Sequence, residues 1–384
     1  MFKWESVRLG DVVNVNMSSY SAKENLYFVN YLDTGNITNG VIDEIQYINL
    51  MTDKLPSRAK RRVKYNSILF STVRPNQRHF GIVKSMPENF LVSTGFAVID
   101  VLEDKVDADY LYFYLSQDSV IERLHAIAEQ SVSAYPSIKP SDIENLHIEL
   151  PPLVVQKSIS SVLKSITDKI SINTEINDNL LQQAQAIFKS WFVEFEPHNG
   201  VIPSDWRIST LAETTEMSAG GDKPKILSMT KSRECPYPVY SNGLLDEGLY
   251  GYTNIPKIKD ESVTVSARGT IGFICLRHIP YVPIVRLITL IPNTALISAK
   301  YLYLYLKQLH ISGTGTTQQQ LTVPDFKKTE ILIPSKDMMD RFSTIVTPMF
   351  NSIWYHQEQN EKLIALRDSL LPKLISGELD VSEI

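Results

Sequence analysis

Cysteine is nearly absent: the 384 residues hold two, Cys235 and Cys275. Two thiols cannot build a disulfide framework, which points to a reducing cytoplasm. Long hydrophobic runs are missing too. No stretch reaches the roughly 18 uncharged apolar residues of a membrane helix, and the best run, Tyr281 to Ile291, is broken by Pro283 and Arg286. The opening Met1-Phe2-Lys3-Trp4-Glu5 has no apolar signal-peptide region. Catalytic signatures are equally scarce. Without a Gly-Lys dipeptide there is no Walker A loop. Histidines 79, 125, 147, 198, 278, 310 and 356 include no His-x-x-x-His pair for zinc. A Gly-x-Ser-x-Gly elbow and an Asn-Pro-Pro-Tyr methyltransferase signature are both lacking. Pro324-Asp325 starts a nuclease-like carboxylate pattern that no Glu/Asp-x-Lys completes. These absences exclude secreted, membrane and fibrous classes and lead to the expectation of a chain that binds no metal and performs no chemistry itself.

What is present is an ordinary globular composition, 43% apolar and 21% charged, long enough for two or three domains. The net charge of −5 argues against coating nucleic acid by bulk charge. Positive charge clusters locally instead: Lys54, Arg58, Lys60, Arg61, Arg62 and Lys64 lie within eleven residues that contain no acid.

The chain also repeats itself. Asp109-Tyr110-Leu111-Tyr112-Phe113-Tyr114-Leu115 recurs 191 residues later as Lys300-Tyr301-Leu302-Tyr303-Leu304-Tyr305-Leu306. Ser141-Asp142 with Ile148-Glu149-Leu150-Pro151 recurs 183 residues later as Pro324-Asp325 with Ile331-Leu332-Ile333-Pro334. Trp4-Glu5-Ser6-Val7-Arg8-Leu9 is matched by Trp206-Arg207-Ile208-Ser209-Thr210-Leu211, an offset of 202. This is a duplication of half the chain, the second copy being shorter in its globular part.

After Pro151 and Pro334 the pattern turns helical. Ile159, Leu163, Ile166, Ile170, Asn173, Asn177, Leu180, Ala184, Ile187 and Trp191 are spaced alternately four and three apart. So are Phe342, Val346, Met349, Ile353, His356, Asn360, Leu363, Arg367, Leu370 and Leu374, each 183 residues on. Both rows read as coiled-coil seams, polar at the same two central positions. Helices of this kind take most of their stability from packing an apolar face, so the simplest expectation is that they pair with each other. Pro348 should kink or break the second one, delaying regular pairing until after it.

The globular parts read as mixed α and β. Strands are expected at 67–73, 95–101, 262–266 and 270–274, and Asp107 and Ser298 are expected to cap the two Tyr-rich helices. Strand-rich halves, each followed by one long helix, give an α+β class.

Two motifs then carry a resemblance. Leu366-Arg367-Asp368-Ser369-Leu370-Leu371-Pro372-Lys373-Leu374-Ile375-Ser376-Gly377-Glu378-Leu379 closes the second helix, and Gln185-Ala186-Ile187-Phe188-Lys189-Ser190-Trp191-Phe192-Val193-Glu194-Phe195 closes the first. Both, with the two-half organisation, resemble the specificity (S) subunit of Type I restriction–modification systems. The resemblance implies target-recognition domains at 1–150 and 198–333 and conserved spacer helices at 151–197 and 334–384, paired antiparallel. It implies that each domain reads one half of an asymmetric two-part target in double-stranded DNA. Two methyltransferase (M) and two restriction (R) subunits would dock for adenine-N6 methylation or cleavage. S-adenosylmethionine, ATP and Mg would sit on those partners only. The 33-residue seam from Ile159 to Trp191, roughly 50 Å at about 1.5 Å per residue, would exceed the ~34 Å of one duplex turn.

Candidate DNA contacts follow from residue type. The Lys54–Lys64 cluster suits phosphates, against a solvated loop before a strand. Arg74, Asn76, Gln77, Arg78 and His79 mix the types that read guanine and adenine edges, against a polar hairpin turn. In the second half Lys231, Arg233, Tyr240, Asn242 and Arg268 are the counterparts, together with Gln318, Gln319 and Gln320 at the end of a Gly-Thr loop. The Tyr sets fit helix packing better than base stacking. Phe188, Trp191 and Phe192 are expected to face a partner subunit, with packing against the adjoining domain as the alternative. A coiled-coil scaffold that binds proteins without DNA specificity, and a cryptic nuclease, are the competing functions.

Overall fold

The computed structural model describes residues 4–131, 135–311 and 320–381. The chain divides into two compact units, Met1–Ile172 with Gln359–Ile384, and Asn173–Glu358. Each is α+β, and each is built from the same parts.

In the first unit a two-stranded ribbon pairs Glu5–Arg8 antiparallel with His147–Leu150. A four-stranded antiparallel sheet follows in the order Val13–Val15, Phe96–Val101, Ile68–Ser71, Phe80–Ile82. A second sheet runs Gln46–Asn49, Phe28–Leu32, Phe90–Ser93, Ala59–Arg62, its middle pair parallel. The second unit repeats the ribbon with Arg207–Thr210 and Glu330–Ile333. It repeats the first sheet as Thr215–Ala219, Ile288–Pro292, Ser262–Val265, Ile274–Arg277. Its second sheet keeps three strands, Leu249–Thr253, Tyr237–Tyr240 and Val282–Pro283, again with one parallel pair. The duplication read from the motifs is therefore a duplication of topology.

The Tyr-rich helices are Ala108–Leu115 and Ala299–Gln308. Asp107 and Ser298 cap them, accepting from the backbone N–H groups of Tyr110 and Tyr301. Tyr110 and Tyr301 are fully buried, so these rings belong to the cores and not to a stacking surface. One strand differs from expectation. Residues 270–273 form a turn and the strand begins at Ile274, because Gly269 and Gly272 take left-handed φ of +68° and +82° and fold the chain back onto Ser266.

The two long helices span Leu153–Phe192 and Lys336–Ser376 and pack together antiparallel. In the first unit Ile159 and Leu163 share a core with Leu371, Leu374 and Ile375. In the second, Ala184, Phe188 and Phe192 share one with Phe342, Val346 and Ile353. As numbers rise on one helix, their neighbours fall on the other. Each unit thus contains the start of its own helix and the end of the other's. Leu180, Ile187 and Met349 also lie against the second core and Leu370 against the first, half-buried; Ile166 is buried and Leu363 half-buried.

The polar seam positions bond instead of packing. The His356 ring Nδ1 donates to Asn177 Oδ1 at 2.9 Å, and Asn177 Nδ2 donates to the Ile353 carbonyl at 3.3 Å. Asn360 Nδ2 donates to the Ile170 carbonyl at 3.4 Å, the same bond 183 residues displaced. Asn173 is fully buried beside this layer's sequence position. The helix runs unbroken through Pro348, and Phe342 and Val346 before it are fully buried. Pro348 and Thr344, whose carbonyl loses its partner, both face solvent, so water can satisfy the freed oxygen.

Both helix ends meet an opening tryptophan. Gly377 ends the second helix at φ +73°, with backbone bonds from Gly377 to Leu374 and from Leu379 to Lys373, and a Cβ there would lie 2.9 Å from the Trp4 ring. Trp206 packs on Phe192 and Phe195 at the end of the first, ring centroids 5.7 and 6.0 Å apart. Phe342→Ala should cost about 3–5 kcal/mol in denaturant unfolding, whereas Ile172→Ala, at a half-exposed site, should stay within about 0.5 kcal/mol.

Candidate nucleic-acid interface

In each unit the hairpin between the last two strands of the first sheet carries an exposed arginine. The first joins Ile68–Ser71 to Phe80–Ile82 and holds Arg74; the second joins Ser262–Val265 to Ile274–Arg277 and holds Arg268. The strand-end likeness read from sequence is thus a structural equivalence.

The first hairpin is strained. Arg74 and Arg78 take φ of +47° and +58° on either side of a short 3-10 turn, Pro75–Gln77. Left-handed non-glycine residues cost of order 1–3 kcal/mol each and persist where surroundings hold them. Here the Arg74 N–H donates to the Pro136 carbonyl at 2.9 Å and its guanidinium lies 5.1 Å over the Tyr135 ring. Arg74, Asn76 and Gln77 face solvent. Arg78 and His79 are half-buried and engaged internally. Arg78 pairs with Asp118 at 2.8 Å, and the His79 ring bonds the Ile37 carbonyl at 2.7 Å, so neither faces outward as expected.

The basic cluster runs into the edge strand Ala59–Arg62 and is not simply a loop. Lys54, Arg58 and Lys60 are exposed; Arg61 and Arg62 are half-buried, and Arg62 pairs with Glu24. Lys64, also exposed, sits 3.9 Å from Asp100. Exposed ion pairs of this sort contribute little to stability, so these charges are available to a ligand at small cost.

In the second unit Arg268 donates from Nη2 to Gln320 Oε1 at 2.9 Å, which joins two of the expected elements. Gln318 and Gln319 lie outside the described residues. Lys231 and Arg233 are exposed in the loop before Tyr237–Tyr240. Two expected base contacts have other work. The Tyr240 ring lies 3.7 Å beneath the Arg277 guanidinium and 5.7 Å from Tyr281, and burial raises its hydroxyl pKa. Both ends of the Asn242 amide are spent on backbone: Nδ2 donates to the Val285 carbonyl at 2.6 Å, and Oδ1 accepts from the Ala267 N–H at 2.8 Å.

Two functional residues carry no signal in the sequence. Arg277, 3% exposed, donates to Thr264 Oγ1 at 3.0 Å, to the Glu247 carboxylate at 2.8 Å and to the Glu247 carbonyl at 2.6 Å. It holds the turn in which Asp246 and Glu247 are left-handed. Arg286, exposed and left-handed at φ +63°, had counted only as an interruption of an apolar run.

The expected partner-facing aromatics divide. Phe188 and Phe192 are 0% and 5% exposed inside the second core and offer a partner no surface. Trp191 is half-buried and lines a shallow concavity with Asp337, Asp340, Arg341, Thr344 and Ile345. Among the described residues no group of three or more His, Cys, Asp or Glu is placed to hold a metal ion. Cys235 and Cys275 are buried and free, and burial pushes the Cys275 thiol up to about 11. No described helix is long and apolar enough to cross a membrane.

The sequence profile for the Type I restriction modification DNA specificity domain matches twice, over residues 1–182 and 203–364. The chain belongs to this Type I specificity family. It is 25% identical to the Type I restriction enzyme HindI specificity subunit of Haemophilus influenzae, over 99% of this chain and 100% of that one. It is 24% identical to the MjaIX specificity subunit of Methanocaldococcus jannaschii, over 87% and 82%. The crystal structure of a Type-I restriction-modification S subunit from M. genitalium has a similar fold, with a TM-score of 0.62 at 17% identity over 97% and 96% of the two chains. The two profile matches correspond to the two repeats of the specificity fold.

Replacing Arg277 with methionine should lower stability by about 1–2 kcal/mol, since the Thr264 hydroxyl and the Glu247 carbonyl lose their donor while the half-exposed Glu247 carboxylate returns to water. A shifted unfolding midpoint, with faster limited proteolysis at Leu244–Gly248, would report it; an unmoved midpoint would contradict the anchoring role.

Proposed function

We propose that this chain is the DNA-reading subunit of a Type I restriction–modification complex and performs no chemistry itself. The observation that carries this reading is the pair of equivalent hairpins, each presenting an exposed arginine, Arg74 and Arg268, from the same place in a repeated fold. Two readers of one design that differ in side chains suit a target of two unlike halves. On this reading residues 1–150 and 198–333 are the target-recognition domains, and 151–197 and 334–384 the spacer helices. The Lys54–Lys64 cluster, with Lys231 and Arg233, supplies phosphate contacts that orient the protein, while hairpin side chains discriminate bases.

Two methyltransferase subunits dock on the helices and two restriction subunits join for cleavage. The half-exposed Trp191 is the natural anchor for one of them, since aromatic side chains in partly formed pockets dominate interface energies. S-adenosylmethionine, ATP and Mg belong to those partners. The complex works on cytoplasmic DNA.

Co-expression with the methyltransferase subunit should direct adenine methylation to one asymmetric two-part sequence; genome-wide methylation mapping that finds one undivided motif, or none, would overturn the reading. Binding should also weaken steeply with salt. Changing Lys54, Arg58 and Lys60 together to alanine should flatten the slope of log K against log salt by up to about 0.9 per lost phosphate contact. A salt response that is flat in the unaltered complex would favour a protein-binding scaffold instead.

A further inference from the structure

Three loops of the second unit meet at one amide. Asn242 lies in the turn between Tyr237–Tyr240 and Leu249–Thr253. It bonds the Ala267 N–H and the Val285 carbonyl, 25 and 43 residues away. Each bonded backbone group sits one residue before an exposed arginine, Arg268 and Arg286. The two bonds are 2.8 and 2.6 Å long.

The loops are held from other sides as well. The Val285 N–H donates to the Gly221 carbonyl and the Arg286 N–H to the Gly220 carbonyl, both at 2.9 Å. Gly220 lies so close to the Ile284 backbone that a Cβ would come within 2.8 Å of it. Val285 and Arg286 are consecutive left-handed residues at φ +51° and +63°, a backbone that L side chains rarely adopt. Arg268 is braced differently, through Nη2 to Gln320 Oε1 at 2.9 Å. Neither arginine forms an ion pair among the described residues. Two unneutralised guanidiniums, each on a loop fixed at the preceding residue, are thus set by the same side chain.

We propose that Asn242 is a positioning residue that sets Arg268 and Arg286 as a pair of guanine readers for one half of the DNA target. The inference rests on the DNA-binding role proposed above. Guanidinium has the planar fork that matches the O6 and N7 acceptors of guanine, and that match tolerates little displacement. Phosphate contact does not require such fixing, because a positive charge on a mobile side chain neutralises phosphate equally well. Strain stored beside Arg286 and a double clamp by Asn242 are therefore better explained by base reading. The two bonds also account for an asparagine at this position: aspartate would accept from Ala267 but could not donate to Val285.

The test is methylation mapping with the full complex carrying Arg268→Ala, Arg286→Ala, Arg286→Lys or Asn242→Ala. In the arginine-to-alanine variants one target half should lose about 10- to 100-fold discrimination at a G·C position while the other half is unchanged. Arg286→Lys should lose the same discrimination, since lysine keeps the charge and lacks the fork. Asn242→Ala should relax both positions although both arginines remain. Arg286 is exposed, so its lysine variant keeps the test open even if Asn242→Ala proves unstable. Full specificity in Arg286→Lys, or methylation that falls evenly at an unaltered motif in every variant, would assign the arginines to phosphate and overturn the proposal. A two-part motif in the unaltered complex with no change in any variant would overturn it while leaving the DNA-reading role intact. No such motif in the unaltered complex would overturn both.

Discussion

The antiparallel pairing of the two long helices is the constraint on which the remaining structure depends. A 40-residue and a 41-residue helix, each with an apolar seam, cannot stay folded separately in water. Antiparallel pairing satisfies both seams and has a further consequence. Each compact unit receives the far end of the helix that follows the other globular part. Leu371, Leu374 and Ile375 complete the first core, and Phe188 and Phe192 complete the second. Neither half is whole without the other's helix.

Register within that pairing comes from polar groups. Leucine seams slide with little penalty, whereas a buried amide must find its partner. Asn177 and Asn360 each donate to a carbonyl of the opposite helix, and His356 adds a side-chain bond to Asn177. A slip by one turn would leave these groups unpaired in an apolar seam. The same logic recurs at the reading loops. There Asn242 bonds backbone on two neighbouring loops and Arg277 bonds Glu247, so polar contacts hold the geometry while burial supplies the stability. The first hairpin adds no residue to either core, and the second adds only Ala267, with Ile271 packed against it. Their outward residues can vary without disturbing the sheets beneath, which suits one fold to many targets.

Much of this was legible in the sequence because it rests on spacing. The seams, the polar central positions, both helix caps and three of the four expected strands follow from periodicity and local chemistry. What failed did so for nonlocal reasons. Phe188 and Phe192 looked available to a partner because spacing does not say which globular part wraps the helix end. Pro348 looked disruptive because its effect depends on whether the Thr344 carbonyl can reach water, and it can. Asn242 reads from the sequence as a base contact, but both ends of its amide bond backbone atoms far along the chain. Arg286 was hidden inside an apolar run, and nothing local marks its left-handed backbone. The antiparallel sense itself came from family resemblance, since a heptad seam is compatible with either direction.

Helix direction can be tested on the unaltered protein, because exposed lysines lie along both helices. Lys157, Lys169 and Lys189 lie on the first, and Lys336, Lys362 and Lys373 on the second. Amine cross-linking with peptide mapping by mass spectrometry should join Lys157 to Lys373, Lys169 to Lys362 and Lys189 to Lys336. Links from Lys157 to Lys336 and from Lys189 to Lys373, with the first set missing, would contradict the antiparallel pairing and the account built on it.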